Sequence, residues 1–304
     1  MAKVFIGMPV YNGERLMSQA IDSLIGQSYT DWVLFISDDA SKDKTQSICK
    51  EYAKKDPRII YFRQEKNIGI FASFKFVLDQ ARGDYFMWAA HDDMWEKNYL
   101  QICVEYLEKD KGLGLATTCN QTIDSFGRKV LESPWMKHLS GKPGYTQVAR
   151  YVLEPEALGK NNLIYGLFRT EAAKVVWQAY PQRAVWGQDY HVCLAIISRF
   201  GVMVDPQMLF KKRLGGYSSP KLSLTNPQDK VTEMGFEAPK KDQIFPFGRF
   251  NSYFRGHMEA LQGTPYRPLA ALLLLIRLPR SFIIHVRERS VKSFIKRIFT
   301  KKAS

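Results

Sequence analysis

The chain has 304 residues, 45% of them hydrophobic and 24% charged, with four cysteines. That balance excludes a disordered, collagen-like or disulfide-stapled protein, and the length favours one large domain with an appendage over several small ones. The formal charge of +14 calls for a polyanionic partner, and +9 of it falls in residues 265–304, where ten basic residues stand against the lone acid Glu288.

In chain order, apolar runs predict strands over Val4 to Met8, Trp32 to Ser37, Ile59 to Phe62, Tyr85 to Ala89 and Leu113 to Thr118. Apolar residues three and four apart predict the intervening helices over Arg15 to Gln27, Lys44 to Lys54, Phe71 to Ala81 and Tyr99 to Asp110. Strand and helix in alternation give an α/β fold, a Rossmann-like and mainly parallel sheet flanked by helices, whose ligands bind beyond the carboxyl ends of the strands. Residues 126–144 read as a surface loop rich in Gly, Pro, Ser and Lys. After it come a strand over Leu163 to Arg169, helices over Glu171 to Tyr180 and Tyr190 to Arg199, and a strand over Val202 to Asp205. The composition of residues 221–264 suggests an extended linker.

The last segment, 265–304, reads as a basic amphipathic helical tail. Val291, Phe294, Ile295, Ile298 and Phe299 recur on one face, and lysines and arginines fill most of the rest. Such a tail suits an anionic membrane surface. The longest apolar run, Leu269 to Ile276, is far short of the roughly 20 residues a span requires. No secretory leader is evident, and the four cysteines show no metal or disulfide spacing, so a cytoplasmic protein, peripheral at the inner membrane face, is expected.

Polar clusters close the predicted strands: Pro9-Val10-Tyr11-Asn12 after the first, Asp38-Asp39 after the second, Asn67-Ile68-Gly69 after the third and His91-Asp92-Asp93 after the fourth. Adjacent carboxylates repel and persist where a cation or a ligand hydroxyl offsets the repulsion. In the second half, Trp186-Gly187-Gln188-Asp189 opens a helix, so Asp189 is either a first-turn acid favoured by the helix dipole or a functional carboxylate.

From Val4 to about Ser219 these ordered motifs resemble the family 2 glycosyltransferases of GT-A fold. The resemblance implies a domain over 1–220, divided into a nucleotide-sugar half (1–120) and an acceptor half (121–220). It implies that Pro9, Tyr11, Asn12, Asp39, Asn67 and Gly69 hold the nucleoside of a nucleotide-sugar donor, Asp92 its ribose, and Asp93 a divalent metal, Mg or Mn. Lys212 and Arg213 would lie near the diphosphate, with Arg213 binding the donor. Tyr165, Gly166 and Trp186 would flank a saccharide or lipid-linked acceptor, and Asp189 would be the catalytic base of an inverting transfer, in cell-surface polysaccharide biosynthesis. His91 stands where the family often has Asp, and Gln188 where it usually has Glu. A sugar-phosphate nucleotidyltransferase would instead show a Gly-rich basic loop after the first strand, which Pro9-Val10-Tyr11-Asn12 is not. A nucleic-acid binder working through the tail would have to run a phosphate backbone past the strand-end acids, so nucleic acid is not expected as a partner.

Overall fold

The computed structural model describes residues 2–154, 159–179, 187–213 and 247–277. All seven residues of β1 (Val4–Val10) are buried, because the strand is covered on both faces. Val4, Ile6, Met8 and Val10 join one apolar cluster with α1 (Met17–Ile25) and α4 (Tyr99–Lys109), while Phe5 joins the other. Gly7 lies beneath α3 (Ile70–Asp79), where a Cβ would sit 2.8 Å from the Val77 side chain.

Among the described residues nine strands form one sheet. β2 (Trp32–Asp38), β3 (Ile59–Arg63), β4 (Tyr85–Trp88), β5 (Met94–Trp95), β6 (Leu113–Ile123), β7 (Lys129–Ser133), β8 (Leu167–Arg169) and β9 (Gly201–Arg213) join β1 in the order β3-β2-β1-β4-β8-β6-β9-β5, with β7 on β6. The expected parallel run holds for β1, β2, β3 and β4. Beyond β4 the sheet is mixed: β8 is antiparallel to β4 and β6, β5 to β9, and β7 to β6, while β6 and β9 run parallel. Direction reverses at β8, a three-residue strand that follows a 3-10 turn, Lys160–Tyr165, in place of the expected strand beginning at Leu163. Residues 126–144 are likewise more ordered than a loop, since they hold β7 and a 3-10 turn, Pro134–Leu139. Two helices between the strands, α5 (Tyr145–Leu153) and α6 (Thr170–Ala179), pack with α7 (Gln188–Arg199) over one face.

Two expectations for the C-terminal region change. Inside the segment read as an extended linker stands the helix Phe247–Ala260. Two glycines, Gly248 and Gly256, hid it from a propensity reading, and it forms because tertiary packing supports it. Gly256 meets the His191 ring, where a Cβ would lie 2.0 Å from Cε1, and Arg199 binds the carbonyls of Ala260 (2.6 Å) and Gln262 (2.7 Å). His191 and His257 face each other with ring centres 5.0 Å apart, and burial lowers both pKa values, holding the rings neutral. The first turns of the expected tail, residues 267–277, also pack on the domain, with Ala270 and Leu274 in the core. The basic stripe from residue 278 onward lies outside the described residues.

Candidate active site

The two acids that end β2 do different work. Asp38 is fully buried and accepts from the Ser41 amide (2.8 Å), the Tyr61 hydroxyl (2.8 Å) and Arg63 Nη1 (2.5 Å), so it braces the loop. Asp39 accepts the amides of Ile68 (2.7 Å) and Gly69 (3.1 Å), tying the β2 end to the start of α3. Burial raises its pKa against those hydrogen bonds. Gly69 takes φ 84° there, a left-handed turn that a side chain would strain. Asn12, also left-handed at φ 53°, donates its amide to Ser41 Oγ (2.9 Å) and accepts from the Lys42 amide (2.8 Å), so its side chain supports the loop beside the site.

These loops border a half-open cleft lined by Pro9, Val10, Tyr11, Asp39, Asn67, Gly69, Ile70, Ser73, Phe74, Ala90, His91, Asp92 and Tyr165. The structure thus brings Pro9, Tyr11, Asp39, Asn67, Gly69, Asp92 and Tyr165 together from five separate segments. It adds Ile70, Ser73 and Phe74 from the first turns of α3, whose only sequence signal was a helix beginning just after Gly69. His91 packs toward Gly13, where a Cβ would lie 3.1 Å from the ring, and burial lowers its pKa, keeping the imidazole neutral.

Asp93 has no exposed surface and does not line the cleft. Its Oδ2 accepts from Lys212 Nζ (2.9 Å) and its Oδ1 from the Arg213 amide (2.9 Å). Burial lifts its pKa against the pull of Lys212, while Lys212 is held protonated because the neighbouring acids, Asp93 first, outweigh its own burial. This donor set does not suit a divalent ion at Asp93, since the buried carboxylate is already paired with a cation, the Lys212 ammonium, 2.9 Å from Oδ2. Among the described residues no cluster of three or more His, Cys, Asp or Glu is placed to hold a metal.

Arg213 is a correction to the donor set. It is 1% exposed, and its side chain points into the protein: Nε to the Asp92 carbonyl (2.9 Å), Nη1 to the carbonyls of Asp124 (3.0 Å) and Ser125 (3.3 Å), and Nη2 to Gln19 Oε1 (2.7 Å) and Met94 Sδ (3.4 Å). A guanidinium has five N–H donors, and these five contacts account for them, so Arg213 holds the His91-Asp92-Asp93 turn from behind.

In the second half of the chain, Gly187 (φ 87°) turns the backbone into α7 and sets Asp189 in its first turn. Asp189 Oδ2 accepts from Asn161 Nδ2 at 2.6 Å and Oδ1 from the Tyr190 amide at 3.0 Å, and burial raises its pKa. Asn161 carried no signal in the sequence, because the contact joins residues far apart along the chain. Tyr165 links the two halves: its ring lines the cleft, Lys212 Nζ lies 4.7 Å from its centre, and its hydroxyl feels Asp93, Asp92 and Asp189. Gly166 leaves no room for a sugar ring, since a Cβ there would fall 2.5 Å from Leu115 and 3.1 Å from the Ala116 carbonyl; its smallness serves β8–β6 packing. Trp186 lies outside the described residues.

Known proteins resemble this chain in sequence and in fold. Chondroitin synthase of Escherichia coli is 31% identical over 127 residues, 42% of this chain and 18% of its own. The chain spans less than half the length of the curated relatives it matches. Among solved structures, S. aureus TarS 1–349 in complex with UDP-GlcNAc superposes with a TM-score of 0.64 at 16% identity, covering 92% of this chain and 72% of that one. The mannosyltransferase PcManGT from Pyrobaculum calidifontis, in complex with GDP-Man and Mn2+, gives 0.55 at 15% identity, covering 95% and 80%. These two show the fold, a curled mixed sheet with flanking helices as in GT-A proteins. The profile described as glycosyl transferase family 2 matches residues 5–160, just over half of the 304 residues, and the chain belongs to that family of glycosyltransferases.

Proposed function

We propose that the chain moves a sugar from a nucleotide-sugar in the cleft to a hydroxyl of a saccharide or lipid-linked saccharide, with inversion, in polysaccharide biosynthesis. The observation that carries this reading is the pairing of a cleft walled by Pro9, Tyr11, Asp39 and Asp92 with a buried carboxylate, Asp189, held by Asn161. In this reading Asp39 accepts an N–H of the base, the amides of Ile68 and Gly69 favouring its ionised form against burial, and Asp92 accepts ribose hydroxyls. The acceptor oxygen bonds to the anomeric carbon as the bond to the diphosphate oxygen breaks, and its proton passes to Asp189. Chondroitin synthase supports a polysaccharide setting and the UDP-GlcNAc and GDP-Man complexes support a nucleotide-sugar donor. The Mn2+ of PcManGT supports the Mg or Mn that the resemblance implies, and the occupied Asp93 carboxylate opposes it, so no step is routed through a metal. Titration calorimetry with UDP and GDP tests the reading: Asp39→Ala should weaken nucleotide binding by about tenfold or more, or roughly 1.4 kcal/mol. Unchanged affinity would remove Asp39 from the nucleoside pocket.

The membrane partner belongs to the same proposal. On residues 267–277, Leu272, Leu275 and Ile276 are 56%, 53% and 61% exposed at i, i+3 and i+4, directly before a sequence that carries eight of the ten basic residues of 265–304. An apolar face joined to basic residues suits an anionic headgroup layer, where each Lys or Arg near the surface contributes about 1 kcal/mol. A chain truncated after Arg277 keeps the buried Ala270 and Leu274. It should bind nucleotide like the full chain and lose most co-sedimentation with phosphatidylserine vesicles. Equal sedimentation of both forms would place the membrane contact elsewhere.

A further inference from the structure

The disagreement at Asp93 carries a consequence for the donor's charge. We propose that the Lys212 ammonium is the resident cation of the donor site, and that this chain binds the diphosphate of its donor without a divalent metal. The inference rests on the nucleotide-sugar reading and concerns how that same site meets the phosphates.

Lys212 is held by a strand, not by a flexible loop. β9 pairs with β6 on one side, Lys212 beside Thr122, and with β5 on the other, Lys211 beside Met94. Its Nζ lies 2.9 Å from Asp93 Oδ2 and 4.7 Å from the centre of the Tyr165 ring, a ring that lines the cleft. The Lys212 side chain retains 14% exposure whereas the Asp93 side chain has none, so the ammonium is the outer member of the pair. An ammonium has three N–H donors, and the Asp93 contact uses one; lysine serves phosphate as a compact point charge.

A metal at Asp93 meets two obstacles. A divalent ion on its carboxylate would stand within a few ångströms of a fixed positive charge, and that repulsion is strong where water is scarce. It would also have to compete with the Lys212 ammonium and the Arg213 amide for the lone pairs of a carboxylate that has no exposed surface.

The test is nucleotide binding by the full-length chain, measured by calorimetry with UDP and GDP, once in EDTA and once in saturating MnCl2. For the native chain, affinity in the two buffers should agree within about threefold, because the site's cation is covalently part of the protein. Lys212→Met, similar in length and uncharged, should lose about tenfold or more in EDTA and regain part of it with Mn2+, since Asp93 is then open to a hard cation. Lys212→Arg retains the charge and should bind nucleotide in EDTA, which guards against a misfolded methionine variant. Native binding that requires Mn2+, or Lys212→Met binding as tightly as the native chain in EDTA, overturns the inference and leaves the nucleotide-sugar reading intact. Absence of UDP and GDP binding in either buffer overturns both.

Discussion

Asp189→Asn is expected to lower kcat by about 10²–10⁴-fold with nucleotide affinity unchanged, because the substitution keeps the size of the side chain and removes its basic lone pair. Structure sharpens the expectation through pH. The base works as the carboxylate, so kcat rises with pH through the Asp189 pKa, which burial raises above the ordinary carboxylate value. Asn161 opposes that rise by donating to the ionised form at 2.6 Å. Removing the donor in Asn161→Ala should therefore move the acidic limb of the kcat profile to higher pH, whereas general damage would lower kcat at every pH alike. An Asp189→Asn enzyme with native kcat, or one that fails because nucleotide no longer binds, would take Asp189 out of the base role.

Arg213→Met should give the largest loss of stability, about 3–5 kcal/mol in denaturant unfolding. The methionine would take the guanidinium donors from the carbonyls of Asp92 and Ser125 and the amide oxygen of Gln19, and would leave the Asp124 carbonyl with the Gly127 amide alone. A fall of about 2–4 °C in Tm for each kcal/mol makes the effect measurable by heating as well. A change below about 1 kcal/mol would mean that the guanidinium is replaceable by apolar packing there.

The donor half was legible because its chemistry sits at strand ends. The runs at Val4, Trp32, Ile59 and Tyr85 give the strands, and the polar residues that follow them converge in the cleft because parallel strands end on one side. Three features escaped. Strand direction beyond β4 depends on where the short β8 is inserted, which three residues cannot encode. The inward turn of Arg213 and the ion pair of Asp93 escaped for one reason: charge and position are sequence properties, but whether a charged group faces ligand or protein depends on contacts such as Gln19 to Arg213 across 194 residues. Asn161 was invisible because an asparagine before a short strand is ordinary until the carboxylate it holds is known.

The phase of β9 makes its two final cations unequal. Successive side chains of a strand point to opposite faces, so Lys212 turns toward Tyr165 and Asp93 while Arg213 turns toward Gln19 and the carbonyls beneath the turn. Deleting one residue from the middle of β9 would move Arg213 into the register of Lys212, swinging the guanidinium toward the cleft, and Lys212 into that of Lys211, leaving the five acceptors without the planar fork that now holds them. The length of this strand therefore carries information that a count of basic residues misses. Chains with another spacing between Gly201 and these cations should divide the work of phosphate contact and turn support differently, even with both residue types present.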